Sequence, residues 1–544
     1  MRILQTLLII VVAGCLLVAQ PLTAADGHLV DVRWLEKHLG DPNILVLDAS
    51  PAQAYANKHI PGAVNLDAMT YGVDDRPLAA MDQLFQSAGV SPDKKVVLYD
   101  QGGSMFATRL FFSLEYHGFP VKNLMLLDGG LTKWEASGLP VTKDATPPPA
   151  KGTFKAKLNE GVRVRLPEFL NASGDPEHNV LLEALTPDWH FGAVAPFDRP
   201  GHVPNAVLMP SADFFAADKT FKSPDEIARM LSHLGVRRDQ KIYTHCGGGV
   251  AASVPYFALR FMLDYPEVKL YPESQLGWLS DERELPYWTY DEPFLMKEAS
   301  WLRVWGGRML RMYGISKVSV VDVRPADVFG EGHAPFSLNV PAEVFRSHLA
   351  DPKKLAAVLG PAGVNPAHEA VIVSGGGLTK EAALAFVLFE ALGQKRVSVL
   401  LDPMDRWAAA GLAPTKDATA VGPKNGPQDL SIPPATYPAQ VRANVIITDP
   451  EGPAGLYPKI FIASGDAIPA RACATHVVQH VPYKSLLNAD GTPKAAKEIW
   501  SILSKAGITR YAELICFSDD PAEAAANYYL LRLMGFPDVK MLVM

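Results

Sequence analysis

The 544-residue chain has little cysteine: four residues, Cys15, Cys246, Cys473 and Cys516. That is too sparse for a disulfide framework. No Cys/His spacing resembles a zinc site and the histidines are dispersed, so no metal is expected. There is no excess of positive charge. Lys and Arg number 51 against 58 Asp and Glu, a net charge of −7, and the basic residues read as scattered, with no stripe and no aromatic interleaving. No nucleic-acid partner is expected. After the first 25 residues no apolar run is long enough to span a bilayer. The glycine triplets Gly247–Gly249 and Gly375–Gly377 lack the Gly-Lys-Ser/Thr that completes a P-loop, and no cofactor is expected.

What is present begins with a distinct N-terminus. Arg2 precedes an apolar run, Ile3–Val12, which continues through Leu16–Val18 and ends at Thr23-Ala24-Ala25-Asp26. This reads as a secretory signal peptide over 1–25, cleaved near Ala24 or Ala25, and it implies export to a periplasm or cell envelope. Val12-Ala13-Gly14-Cys15 also resembles a lipoprotein processing site, which would tether the chain through a lipid on Cys15; membrane association is expected only in that case. A permanent N-terminal anchor is the third reading. Removing the signal peptide leaves three cysteines. Cys473 and Cys516 could pair, which would leave Cys246 as the free thiol.

The main organisational signal is an internal repeat. Asp128-Gly-Gly…Trp134…Gly138…Lys143-Asp-Ala-Thr146 matches Asp402…Trp407…Gly411…Lys416-Asp-Ala-Thr419, ungapped from the tryptophan onward. A capping glycine followed by a short β-branched strand recurs four times, at Gly89, Gly235, Gly363 and Gly507. An earlier strand recurs at Ile44–Asp48, Val180–Glu183, Val318–Asp322 and Val445–Asp449. The first three precede a His-x-Pro element (His59, His202, His333). Strands alternate with helical stretches, so each unit is expected to be α/β, a parallel sheet flanked by helices. The boundaries read as 26–150, 155–297, 298–420 and 430–544, with proline- and glycine-rich joins.

In each unit, the residue eleven positions after the capping glycine opens the loop beyond the strand. These residues are Asp100, Cys246, Ser374 and Ser518. Only the second unit has a thiol there. Gly247, Gly248 and Gly249 allow the backbone to curl so that successive N–H groups face inward, a nest for an anion, with Val250 and Ala251 leading into a helix. A free cysteine titrates near about 8.5, and a helix N-terminus or nearby donors can lower that. A structural cysteine beside a glycine-rich turn is the bland alternative. A phosphatase-like loop would need an arginine six residues on, where Ala252 stands.

These motifs together resemble the rhodanese superfamily: the Asp48-Ala-Ser50 and Asp322-Val-Arg324 strand ends, Arg199-Pro-Gly-His-Val-Pro-Asn-Ala-Val207, the Cys246-Gly-Gly-Gly loop and the Gly-Gly…Trp tail. The resemblance covers nearly all of the chain after residue 25 and is weakest in unit four. It implies tandem rhodanese-like domains and a sulfurtransferase of the thiosulfate or 3-mercaptopyruvate type. Sulfur would pass through a Cys246 persulfide from a small donor (thiosulfate, mercaptopyruvate or a persulfide) to a thiol acceptor. The neutral loop is more similar to mercaptopyruvate enzymes, whose paired arginines hold a carboxylate. Arg199 could be one of them, but Leu185 stands where the other is expected, so a persulfide or polysulfide donor, or a protein acceptor, fits the neutral loop at least as well. His245 could stabilise the thiolate or simply pack. The competing reading is a non-catalytic envelope protein whose rhodanese-like units bind protein partners.

Overall fold

The computed structural model describes residues 27–71, 76–195, 199–426, 428–438, 441–453, 455–470 and 477–544. The N-terminal segment with Cys15, and Cys473 with the pairing expected of it, lie outside the described residues.

The nineteen strands of the described residues form four sheets. Unit one contains β1 (Leu29–Val30), β2 (Ile44–Asp48), β3 (Val64–Asn65), β4 (Lys95–Tyr99) and β5 (Leu124–Leu127) in the order β1-β5-β4-β2-β3. Unit two contains β6 (Asn179–Glu183), β7 (Ala206–Leu208), β8 (Lys241–His245) and β9 (Val268–Leu270) in the order β7-β6-β8-β9. Here a single parallel bridge, Arg163 to Leu270, takes the edge place that β1 holds in unit one. Unit three contains β10 (Met296–Lys297), β11 (Val318–Asp322), β12 (Ser337–Asn339), β13 (Glu369–Val373) and β14 (Arg396–Leu400). Unit four contains β15 (Ile446–Ile447), β16 (Lys459–Ala463), β17 (Val478–His480), β18 (Glu513–Phe517) and β19 (Val539–Leu542). Both repeat the order of unit one. Every ladder is parallel, as alternating strands and crossover helices require.

Two sequence assignments shift. Met296–Lys297 pairs with β14, so the sheet of unit three begins just before residue 298. Val445–Asp449 is not the counterpart of Ile44–Asp48. Its short strand Ile446–Ile447 lies at the sheet edge against β19, as β1 lies against β5, and the counterpart of β2 is Lys459–Ala463. A short apolar run does not reveal whether it will be an edge or a centre strand.

The four capping glycines all have positive φ: +82° at Gly89, +79° at Gly235, +94° at Gly363 and +72° at Gly507. A side chain there would be strained, which explains why glycine recurs. Trp134 and Trp407 are fully buried, and each indole N–H donates to a main-chain carbonyl, Pro140 and Asp402. Trp278 does the same in unit two, donating to Pro286.

The units associate as two pairs. Helix Phe106–Tyr116 of unit one packs on helix Ser253–Phe257 of unit two, with Thr108 and Ser253 hydroxyls 2.8 Å apart and Tyr256 donating to Glu115 at 2.8 Å. Helix Lys380–Ala391 of unit three packs on Pro521–Leu533 of unit four through Phe386 and Tyr529, whose ring centroids are 4.9 Å apart. Both helices of the second pair are buried almost all round, so their hydrophobicity is not confined to one stripe.

Candidate active site

Strand β8 carries the cysteine loop out of the sheet. Its side chains alternate between faces. Tyr243 and His245 point toward Phe169, with ring centroids at 6.5 and 5.2 Å. Ile242 and Cys246 lie on the other face, in a core shared with Phe112 and Tyr116 of unit one and flanked by Tyr457 and Tyr511 of unit four. His245 is thus directed away from the thiol.

Cys246 is free and 3% exposed. Its sulfur accepts the N–H of Gly249 at 3.1 Å. Its own N–H donates to the Ser274 hydroxyl at 3.0 Å, and its carbonyl accepts from the Gln275 N–H at 3.0 Å. Gly249 has φ +77°, and a Cβ there would lie 2.3 Å from the Pro272 carbonyl oxygen, so only glycine permits the curl. The Gly247 carbonyl accepts from Leu276 N–H, and Gly248 is half-buried. The Val250 and Ala251 carbonyls cap the first turn of helix Ser253–Phe257 by accepting from Ser253 and Val254.

Unit one shows what this loop geometry holds. Asp100 occupies the position of Cys246, and its carboxyl oxygens accept three N–H groups, from Gly102 (2.8 Å), Phe106 (3.0 Å) and Ala107 (2.9 Å). Burial pushes the Asp100 carboxyl up, and the three donors act against that.

One arginine interacts electrostatically with Cys246 and a second couples to that arginine, and sequence reasoning missed both. Arg109 comes from helix Phe106–Tyr116 of unit one and is 5% exposed, with its guanidinium 5.5 Å from the Phe112 ring centre. Burial pulls its pKa down, while Tyr71 and then the Cys246 thiol favour its charged form. Arg163 is equally buried; it donates to Tyr116 Oη at 3.1 Å, pairs with Glu273 and couples to Arg109. One signal was available: Arg109 is the only charged residue in the apolar run Phe106–Leu114.

Arg199 donates to the Leu285 carbonyl at 2.9 Å and lies 5.6 Å over Tyr287. His202 matches His59 and His333: each bridges to the tail of its unit and stacks on an upstream ring, His190, Tyr55 and Phe329 respectively. Cys516 is a fully buried free thiol on β18, and burial pushes its pKa well up.

A buried polar chain runs from the cysteine loop to unit four. The Gln275 amide donates to Glu183 Oε1 at 2.9 Å, and Glu183 Oε2 meets His190 Nδ1 at 2.8 Å. His190 Nε2 meets Asp291 Oδ1, and Arg510 of unit four donates to Asp291 Oδ2 at 3.1 Å. Burial disfavours a charged His190, but Asp291 and Glu183 outweigh it and raise its pKa to about 9. Burial and the His190 charge instead lower His202 to about 4. His190, His202 and Asp291 are the one trio among the described residues with metal-ligand spacing. The two rings are stacked 3.6 Å apart with planes 2° from parallel, so a single ion cannot lie in both ring planes, and Arg510 adds a cation. The cluster is an ion-pair network.

His245 supplies a test of burial. Neither ring nitrogen has a hydrogen-bond partner, and burial lowers its pKa to about 4, against the pull of Glu183. Its folded pKa lies below the unfolded value of about 6.5, so its contribution is complete above pH ~6.5 and is lost as pH falls toward 4. His245→Leu is expected to gain about 1–2 kcal/mol relative to the parent between pH 7.5 and pH 5. Urea midpoints at the two pH values measure this; parallel acid losses in both proteins would refute it.

A family model described as rhodanese-like domain matches residues 31–137 and 308–410, within units one and three. The 3-mercaptopyruvate sulfurtransferase of Escherichia coli (strain K12) is 33% identical over 270 residues, covering 46% of this chain and 94% of that protein. The sulfur carrier protein TtuD of Thermus thermophilus is 28% identical over 266 residues, with 46% and 93% coverage. The crystal structure of SseA from Escherichia coli aligns at 29% identity with a TM-score of 0.42, covering 46% of this chain and 98% of that one. With one of four matching loops carrying a thiol, and a sulfurtransferase matched over nearly its whole length, this chain belongs to the rhodanese family of sulfurtransferases.

Proposed function

We propose that the chain is an exported enzyme that moves a sulfane sulfur through a persulfide on Cys246. The observation that carries this is the Gly249 N–H on the Cys246 sulfur, in a loop that holds a carboxyl group in unit one. The thiolate attacks the terminal sulfur of the donor. The S–S or C–S bond of the donor breaks, and its electron pair leaves with sulfite, a thiolate or the pyruvate enolate. An acceptor thiolate then attacks the outer sulfur and the Cys246 thiolate is regenerated. The buried loop keeps bulk water from the persulfide.

The donor is an anion. The loop itself is neutral, but the buried Arg109 brings a cation to its surroundings from unit one, coupled to the Arg163–Glu273 ion pair. Unit one is therefore part of the site. Arg109→Met is expected to lower kcat/KM about 10- to 100-fold for thiosulfate and mercaptopyruvate, the range of one charge-assisted hydrogen bond. Uncharged sulfane donors should lose much less. Equal losses across a donor panel would reject a charge-reading role.

The second pair supports and does not transfer. Its loops carry Ser374 and Ser518, and Asp520, beside Ser518, is held by Arg346 (2.8 Å) and Lys380 (2.6 Å) of unit three. An acid of the chain itself thus pairs with both basic groups of that seam. Loading with thiosulfate or mercaptopyruvate, then peptide mass spectrometry, tests the proposal: one added sulfur on Cys246 is expected. The intact mass of the mature protein reads export in the same sample, as cleavage near Ala25 or a lipid on Cys15.

A further inference from the structure

We propose that unit three carries a docking face for an anionic phospholipid bilayer, formed by helices Ala299–Trp305 and Arg308–Met312. In unit one a single helix, Val32–His38, joins β1 to β2. Unit three has the corresponding helix Ala299–Trp305 between β10 and β11 and then inserts Arg308–Met312. Unit one builds the same sheet without that insertion, so the fold does not require it.

The segment from Trp305 to Ile315, which contains the insertion, turns large apolar side chains outward. Trp305 is 47% exposed, Met309 64%, Tyr313 74% and Ile315 54%. Isolated exposed apolar residues need no explanation, but a group of this size within eleven residues marks an interaction surface. Trp305 is not loose: it stacks on Trp301 with centroids 6.3 Å apart, and Lys297 sits 4.7 Å over Trp301.

Charge identifies the occupant. From Ala299 to Val321 there is no acidic residue, in a chain whose net charge is −7. Arg303, Arg308 and Lys317 are exposed in the same stretch, and the exposed Glu298 precedes it. Arg311 turns inward to the carbonyls of Gly306 and Val318. Composition alone hid this run, because the basic residues of the whole chain look scattered. A protein surface normally offers both signs of charge, and a nucleic acid has no use for exposed Met309 and Ile315. A bilayer with anionic headgroups offers one sign of charge above an apolar layer. Trp and Tyr favour that boundary, and basic residues beside apolar ones hold short amphipathic segments to it. No helix of the described residues is long and apolar enough to cross a membrane, so the contact is with the surface.

The test is co-sedimentation of the full chain with vesicles of phosphatidylglycerol and phosphatidylcholine, against phosphatidylcholine alone. Binding to the anionic vesicles is expected, weakening about tenfold or more when salt rises from 0.1 to 0.5 M. The apolar N-terminal run could hold the chain to any vesicle, so proteins differing only on this face are compared. Arg308→Glu and Met309→Glu/Tyr313→Glu are each expected to weaken binding about tenfold or more, with sulfur transfer at Cys246 unchanged. Undiminished binding by both variants overturns the proposal. So does a concentration-dependent dimer that Met309→Glu/Tyr313→Glu abolishes without any vesicle binding, which would make the face a contact between copies.

Discussion

Cys246→Ser should retain the parent's fold and lose sulfur transfer by about three orders of magnitude or more, the scale of removing a nucleophile. The fold should survive because the chain already builds this loop around serine: Ser374 and Ser518 hold the matching positions beside ordinary parallel strands. The chemistry should not survive, because a serine hydroxyl neither ionises near neutral pH nor forms a persulfide. Mass spectrometry after loading gives the direct reading. Sulfur added elsewhere in the variant, with turnover intact, would reject Cys246 as the carrier. Cys516 is a poor substitute, since it is 0% exposed on the central strand β18 and burial disfavours its thiolate. Cys473 is the more informative control, and Cys473→Ser should leave the reaction unchanged.

The position of Cys246 was legible in the sequence because it depends on local rules. A glycine with positive φ ends a helix, a buried strand follows, and the next loop begins at a fixed distance; all four units obey this. The parallel sheets were legible for the same reason. What was not legible depends on how units face one another. Arg109 is far from Cys246 in sequence and interacts with it electrostatically because helix Phe106–Tyr116 packs on Ser253–Phe257. Judged by its own loop, the site looked neutral; its neighbour unit one adds the buried Arg109. Arg199 has a partner that its motif does not reveal. Its place in a family motif suggested a substrate contact, and the motif alone gave no sign that its guanidinium also donates to the Leu285 carbonyl. His245 and Cys246 are adjacent in sequence and lie on opposite faces, as alternation on a strand dictates. The edge strand Ile446–Ile447 escaped correct assignment because two apolar residues contain no information about which neighbour they will pair with.

Asp291→Ala should destabilise the protein by about 3–5 kcal/mol, because it leaves two buried cations without their shared partner. Asp291 lies between His190 of unit two and Arg510 of unit four, and His190 is also held by Glu183. The pH dependence identifies the mechanism. Asp291 is held well below the usual carboxylate range, since the charges of His190 and Arg510 outweigh its burial, so its contribution is present above pH ~4. His190 is raised to about 9, so its contribution is complete below pH ~6.5 and disappears as pH rises through 9. The difference between parent and variant should therefore be greatest between about pH 4 and 6.5 and shrink toward pH 9. Denaturant unfolding across that range checks it; a difference independent of pH would mean that only packing was lost. The effect should also reach the active loop. Glu183 fixes the Gln275 side chain, and the Gln275 N–H holds the Cys246 carbonyl. Loosening Glu183 should lower kcat with little change in KM, since Arg109, proposed above to read the donor's charge, lies outside this network. Unit four, which has no thiol in its own loop, would then act on sulfur transfer through one arginine, and Arg510→Met should reproduce both the stability loss and the kcat effect.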